Sequence, residues 1–372
     1  MTERTHATSA EPGFANVAGA ISAAQMARPR IDVARLTAFI AAQPDVRGPV
    51  QVSAFRYVES GGSSNGIALF RVDFADAPER GPLDLVLRYA PGEQLLKQKR
   101  FDDEFFTLAA LQQHDIPAPR PLWMDPTPVT LGYPFLIMTA IQGRAPSPHM
   151  MYASGVLAEA TPAERKQMLL EAATFHGRLR RAAIGTESVP HLVRRGGGQT
   201  AIERELSWWL NEARLAMIDG DSRLTYLTDL YRWMVEHQPA ARAATLVHGD
   251  AQIANLMFDG CQLVAALDWE LSYLGHNEAD LALVVYLLQA HMADGTVAGV
   301  PSEAEVIAHY EAACGAPVEH WAYFRLFNLV KVSTIMCMSA RNMDAEAAQV
   351  LWQVNAADRE TAWAQARAEA RA

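Results

Sequence analysis

LVHGDAQIANLMFDGCQLVAALDWE, residues 246–270, sets polar groups at intervals along otherwise apolar sequence. Leu246 and Val247 end a short apolar run, and His248, Gly249 and Asp250 cannot continue a buried strand, so Asp250 is placed at a strand-to-loop exit. After Asn255, an apolar strand resumes with Leu256, Met257 and Phe258. Asp259-Gly260 turns it back into Leu263–Leu267, a hairpin signal, and Asp268 closes the second strand. A carboxylate, a carboxamide and a second carboxylate thus meet at one end of a small sheet. Oxygen ligands of this kind suit a hard cation such as Mg²⁺, which keeps waters and phosphate oxygens in its shell. Asn255 and Asp268 are the candidate metal ligands, and Asp250 is left to orient a hydroxyl. The competing reading is a plain surface hairpin, since Asp and Asn are common turn residues.

The combined pattern H-G-D-x-x-x-x-N, strand, D-W-E resembles the catalytic core of the kinase-like phosphotransferases, the group that includes aminoglycoside phosphotransferases and choline kinases. That resemblance implies Asp250 as the catalytic-loop base, Asn255 as a Mg²⁺ ligand, and Asp268 as the ligand standing where protein kinases carry the aspartate of D-F-G. His248 is then a structural residue bracing the loop, and Glu270 a candidate for a water-mediated metal contact. The fold class implied is α+β: a bilobal protein-kinase-like fold with a small antiparallel-sheet N-lobe and a mainly helical C-lobe.

Composition narrows the alternatives. Half of the 372 residues are hydrophobic and 20% are charged, enough chain for a full core and for two lobes. The formal net charge is −10 and no long Lys/Arg cluster occurs, which argues against a nucleic-acid partner. The cysteines Cys261, Cys314 and Cys337 are widely separated and lack metal-ligand spacing, which favours a reducing compartment over a disulfide framework. No window reaches the apolar length of a membrane span and the start lacks signal-peptide order, so a cytoplasmic protein is expected.

Residues 1–29, rich in Ala, Gly, Thr and Ser, read as a flexible arm. Residues 30–140 read as an N-lobe: a helix from Ile31, then alternating runs at Val50–Tyr57 and Ile67–Phe74 joined by a glycine and serine loop. In that loop Gly62, Ser63, Ser64 and Asn65 are candidate nucleotide contacts, because such loops lay N–H groups and hydroxyls against phosphates. They also resemble the G-G-x-S-N loop of the same family. Gly62–Gly66 satisfies G-x-S-x-G as well, but a nucleophile elbow needs a helix after it, and strand-like sequence follows. Arg88, in the strand run DLVLRY, is a cation amid apolar residues and needs a partner. Glu104, on a helix expected over Lys97–Gln113, is the candidate, with Asp102 and Asp103 as competitors. By resemblance Arg88 takes the place of the kinase lysine that faces the nucleotide phosphates. IPAPRPLW interrupts the chain, PFLIM gives one more strand, and residues 139–143 resemble the kinase hinge, with Met138 and Ala140 as main-chain contacts for adenine.

Residues 141–372 read as a helical C-lobe carrying the catalytic loop and acceptor site, ending in a helix from Ala345 to Ala370. His176 reads as a packed residue. Trp208 and Trp209 are adjacent, so one is expected in the core and the other along a groove. Asp280, near a helix start, is expected to steady the neighbouring loop through backbone amides. Segments such as VLRYAPG, IERELSWWL and LDWELSYLG resemble the branch related to the kinase-like domain that precedes some acyl-CoA dehydrogenases. It implies ATP, Mg²⁺ and a small-molecule hydroxyl acceptor, such as a hydroxylated acyl compound, an aminoglycoside or an amino alcohol. The chain departs from that branch at Ala251-Gln252, where Tyr-Arg is common, and at Gly275–Asp280. The alternative of a different class is a non-catalytic nucleotide-binding module with a regulatory or partner-binding role.

Overall fold

In the computed structural model, which describes residues 30–58, 65–76, 81–92, 95–148, 151–217, 220–290, 292, 297–340 and 343–371, the alternating runs form β1 (Val50–Tyr57), β2 (Gly66–Phe74) and β3 (Leu83–Tyr89). The expected arm, residues 1–29, and the candidate contacts Gly62, Ser63 and Ser64 lie outside the described residues. With β4 (Pro121–Asp125) and β5 (Phe135–Thr139) these strands make an antiparallel sheet of order β1-β2-β3-β5-β4. Ala68, Phe70, Val72 and Phe74 point to one face of β2 and are buried with Leu85, Leu87, Phe135 and Ile137. Helix α1 (Val33–Ala41), capped by the Asp32 carboxylate, closes that face with Leu36 and Ile40. Each large apolar side chain so buried contributes roughly 1.5–3 kcal/mol.

Strand β4 was not expected from IPAPRPLW. It sits at the sheet edge and opens on Pro121, a position where the missing N–H costs the ladder nothing. The helix after β3 also starts later than its sequence suggests. Helix α2 runs Phe101–Leu111, because the amides of Lys97 and Gln98 are drawn to a carboxylate of the other lobe.

The second lobe is mainly helical: α3 (Val156–Glu159), α4 (Pro162–Ala182), α5 (Ala201–Ala216), α6 (Ser222–Glu236), α7 (Glu278–Ala290), α8 (Glu303–Cys314), α9 (Trp321–Ser339), α10 (Ala345–Gln353) and α11 (Ala356–Glu369). Helices α4, α5 and α8 open on capping boxes written in the sequence, Thr161–Glu164, Thr200–Glu203 and Ser302–Glu305. A cap of this kind is worth about 1 kcal/mol. The continuous helix expected over Ala345–Ala370 breaks before α11. Asn355 is buried there and its side chain bonds the Ser333 hydroxyl of α9, which turns the chain.

Two small antiparallel pairs lie between the helices and the larger sheet: β6 (Thr245–Val247) with β9 (Tyr273–Gly275), and β7 (Leu256–Asp259) with β8 (Gln262–Ala266). The hairpin is therefore formed as its Asp259-Gly260 turn predicts. Arg144 pairs its backbone with Phe258, tying the segment after β5 to the hairpin. The architecture is bilobal α+β, with a small antiparallel sheet in one lobe and helices in the other. Among the described residues, no helix is long and apolar enough to cross a membrane.

Candidate active site

The loop after β6 is fixed peptide by peptide. Gly249 has φ +82°, and a Cβ there would lie 2.1 Å from the Leu271 carbonyl oxygen, so only glycine fits. The Asp280 carboxylate accepts the N–H groups of His248 (2.8 Å) and Gly249 (3.0 Å). From α9, the Lys331 ammonium donates to the Gly249 carbonyl. Asp280 thus steadies the loop as its position suggests, while Lys331 was not foreseen.

His248 braces the same loop. Its Nδ1 accepts from the Asp250 amide (3.2 Å), so Nε2 carries the proton and donates to the Leu267 carbonyl (2.9 Å). That arrangement requires a neutral ring. Burial accordingly pushes the His248 pKa down to about 4, against the pull of the Asp280 charge.

Asp250 and Asn255 face one another. The Asn255 Nδ2 donates to the Asp250 backbone carbonyl (3.0 Å) and to its Oδ2 (2.9 Å), and Gln252 Nε2 donates to the same Oδ2 (2.8 Å). With its amide nitrogen so committed, Asn255 has Oδ1 left for a cation. Burial raises the Asp250 carboxyl above the usual carboxylate range, and the Lys331 charge and the two amide hydrogen bonds oppose that rise.

Asp268, at the end of β8, adopts a left-handed backbone (φ +61°, ψ +61°). Non-glycine residues held there typically store about 1–3 kcal/mol and cluster at functional sites. Its Oδ1 accepts from Arg88 Nη2 at 2.7 Å. Arg88 of β3 is buried, and its other amino group donates to Glu104 of α2. Glu104 is therefore the partner that reaches Arg88. Asp102 pairs instead with Arg100 near the surface, and Asp103 is half-buried with its pKa pushed by burial up to about 6.

Glu270 is one of the points where the lobes meet. One of its oxygens collects Arg88 Nη2, Lys99 Nζ and Asn65 Nδ2, the last at 2.7 Å. Burial would raise this carboxyl, but the Arg88 and Lys99 charges outweigh it and hold the pKa down to about 2. Burial takes Glu104 the other way, up to about 7, despite the Arg88 charge.

Among the hinge candidates, Met138 lies in β5 opposite Val86, and the Ala140 N–H donates to the Asp84 carbonyl at 2.9 Å. An adenine contact at Ala140 is thereby confined to its carbonyl. Trp208 and Trp209 do not divide between core and groove. Both are buried, because α5 is packed on two sides: Arg195 stacks 3.8 Å above the Trp208 ring, and Trp209 Nε1 donates to Glu205. His176 is buried beside Asp280, as a packed residue.

The donor set fits a magnesium nucleotide. Among the described residues, no group of three or more His, Cys, Asp or Glu side chains could hold a metal by itself. The Asn255 carboxamide and the Asp268 carboxylate would supply two oxygens to a Mg²⁺, leaving the rest of its shell to phosphate oxygens and water. Asn65 Oδ1 is buried beside Glu270 without a hydrogen-bond partner, an acceptor left open in the cleft.

Three comparisons bear on this geometry. A family model described as "Phosphotransferase enzyme family" matches residues 66–327. Among curated proteins, the chain is 27% identical to mouse acyl-CoA dehydrogenase family member 10 over 68% of its own length and 24% of that protein's. It is 26% identical to human acyl-CoA dehydrogenase family member 11 over 69% and 33%. The chain thus spans a quarter to a third of the length of these relatives. Among solved structures, it resembles a Ralstonia eutropha protein described as an aminoglycoside phosphotransferase, at 22% identity and TM-score 0.64, covering 91% of this chain and 99% of that one. An amicoumacin kinase solved with AMP-PNP and Ca²⁺ is 11% identical with TM-score 0.58, covering 89% and 94%. At these identities the structural likeness is one of fold.

Proposed function

The chain belongs to the phosphotransferase enzyme family, and from that premise we propose that it moves the γ-phosphoryl group of ATP, with Mg²⁺, to a hydroxyl of a small molecule. The observation that carries this reading is the convergence of Asp250, Asn255 and Asp268 at one end of β7–β8, with Arg88 reaching Asp268 from the other lobe. Asn255 Oδ1 and the Asp268 carboxylate hold the metal, whose chemistry there is to neutralise charge developing on the phosphates. Asp250 orients the acceptor hydroxyl and takes its proton. Arg88 and Asn65 face the phosphates, and the Met138–Ala140 backbone borders the adenine. Positioning and charge stabilisation supply most of the acceleration. The acceptor class favoured is a hydroxylated acyl compound, by kinship with the acyl-CoA dehydrogenase family members; aminoglycoside-like compounds and amino alcohols are the other candidates. Free Cys261, Cys314 and Cys337 accord with a reducing, cytoplasmic setting.

The test is a thermal melt with and without ATP and Mg²⁺, repeated on Asp268→Ala, followed by a screen of hydroxylated acceptors. A ligand bound only by the folded state raises its apparent stability. A Mg²⁺-dependent rise lost in the variant supports the reading. Absence of any rise in the wild type overturns it, and a rise without transfer to any acceptor or to water favours the non-catalytic module.

A further inference from the structure

We propose that Lys99 is a second cation for the phosphate chain of the bound nucleotide, and that helix α5 holds it in place through Glu212. The inference rests on the nucleotide reading above and adds a residue to it. No sequence motif marks Lys99, which lies in the irregular segment before α2.

Both amino groups of Arg88 are engaged, with Glu104, Asp268 and Glu270, and its buried Nε alone lacks a partner. Lys99 has more to offer. An ammonium has three N–H donors, and Glu270 is the only partner of this one among the described residues. Its side chain is only 5% exposed, so the group is already confined at a meeting point of the lobes rather than free in solvent. Asn65, at the end of the glycine and serine loop, reaches the same Glu270 oxygen. Three donors from three N-lobe elements thus converge on one anionic oxygen, the arrangement that a phosphate oxygen also demands.

The placement of Lys99 is built. The Glu212 carboxylate, fully buried on α5, accepts the amides of Lys97 (2.9 Å) and Gln98 (2.6 Å), one on each oxygen. Gln98 Nε2 donates to the Trp208 carbonyl at 3.1 Å, and Leu96 is buried in the helical core with Trp208, Trp209 and Phe327. The backbone immediately before Lys99 is therefore anchored to the second lobe, which aims the lysine into the cleft. As a compact point charge on a flexible stem, lysine can serve Glu270 and a phosphate by turns, as a planar guanidinium cannot.

The bland alternative is an ion pair that only joins the lobes. Isothermal titration of ATP with Mg²⁺, and of adenosine, against wild type, Lys99→Met, Lys99→Arg and Glu212→Gln separates the two. Lys99→Met is expected to weaken ATP binding about tenfold or more while leaving adenosine within about twofold. Lys99→Arg keeps the charge but not the compact ammonium and should restore only part of the loss, and Glu212→Gln should fall between wild type and Lys99→Met. Melts without ligand confirm that each variant is folded. Unchanged ATP affinity in Lys99→Met, or equal losses for ATP and adenosine, overturns the assignment of Lys99 alone. A wild type that binds no ATP overturns the nucleotide reading and this inference with it.

Discussion

Arg88 and Asp268, 180 residues apart in sequence, are joined by a 2.7 Å hydrogen bond from guanidinium Nη2 to carboxylate Oδ1. The bond makes the N-lobe sheet and the C-lobe hairpin parts of one charge cluster, and the cluster dictates what substitutions should do.

Removing Arg88 leaves Glu104 and Asp268 without a cation that touches them directly among the described residues. Breaking a buried ion pair from one side typically costs about 3–5 kcal/mol. Arg88→Met should therefore lower the urea midpoint strongly, and Arg88→Lys should recover only part, since a single ammonium cannot span three carboxylates. A midpoint equal to wild type would mean that the cluster is not formed in solution.

Among the described residues Asp250 touches no N-lobe residue by hydrogen bond, and its side-chain partners there are Gln252 and Asn255. Asp250→Ala should accordingly leave ATP affinity near the wild-type value while phosphoryl transfer falls by about 10²–10⁴, the usual range for a positioned acid–base group. Rapid-quench or coupled assays beside a binding titration read both quantities. Normal turnover in the variant would remove Asp250 from the proposed role.

The Gly249 peptide is held between Asp280 and Lys331, and its Cα is pressed against Leu271. Gly249→Ala must move the Leu271 backbone and adopt a positive φ. A loss of about 1–3 kcal/mol or more is expected. Lys331→Met removes the donor to the Gly249 carbonyl and should cost about 1–3 kcal/mol. Denaturation curves of both variants check these figures, and the double variant should lose less than their sum because the two sites share one peptide.

His276 accepts a hydrogen bond on Nδ1 from Arg242 at 2.7 Å, which only a neutral ring can do. Burial, reinforced by the nearby charges of Arg242, His320 and Arg180, pushes its pKa down from 6.5 to about 4. A histidine lowered on folding stabilises the native state fully above its unfolded pKa, and that share is lost as pH falls through the window. The melting-temperature advantage of wild type over His276→Gln should therefore shrink between pH 6.5 and pH 4. Comparison with the variant cancels Glu104 and Asp103, whose raised pKa values act with the opposite sign over much of the same range. A constant gap would indicate a ring that does not titrate there.

The parts of the site that could be read in the sequence are those with a local cause. Asp259-Gly260 sets the hairpin, and the hairpin brings Asn255 near Asp268 whatever else the chain does. Arg88 amid Leu85, Val86 and Leu87 demands a carboxylate, and the first turn of α2 offers three, of which the structure buries Glu104 and brings it to the guanidinium. The capping boxes at Thr161, Thr200 and Ser302 mark three helix starts for the same reason.

What stayed hidden depends on packing between distant segments. Lys99 and Lys331 are ordinary lysines until the fold encloses them beside Glu270 and Gly249. Nothing near Glu212 announces that it accepts amides more than a hundred positions upstream, so α2 was expected to begin at Lys97. Trp208 and Trp209 cannot share one helix face, yet both are buried because α5 is covered on two faces, a fact of tertiary structure. β4 was lost behind prolines that an edge strand tolerates.

Glu212 also changes how the two lobes can move. In addition to the covalent crossing after Thr139, the segment of residues 96–98 is fastened to α5 at a separate place. Arg88, Lys99 and Asn65 tie the same lobe to Asp268 and Glu270. Any widening of the cleft must therefore break these charged bonds while the amides of Lys97 and Gln98 stay behind on Glu212, so its cost is set by the ion cluster and not by the chain crossing after Thr139.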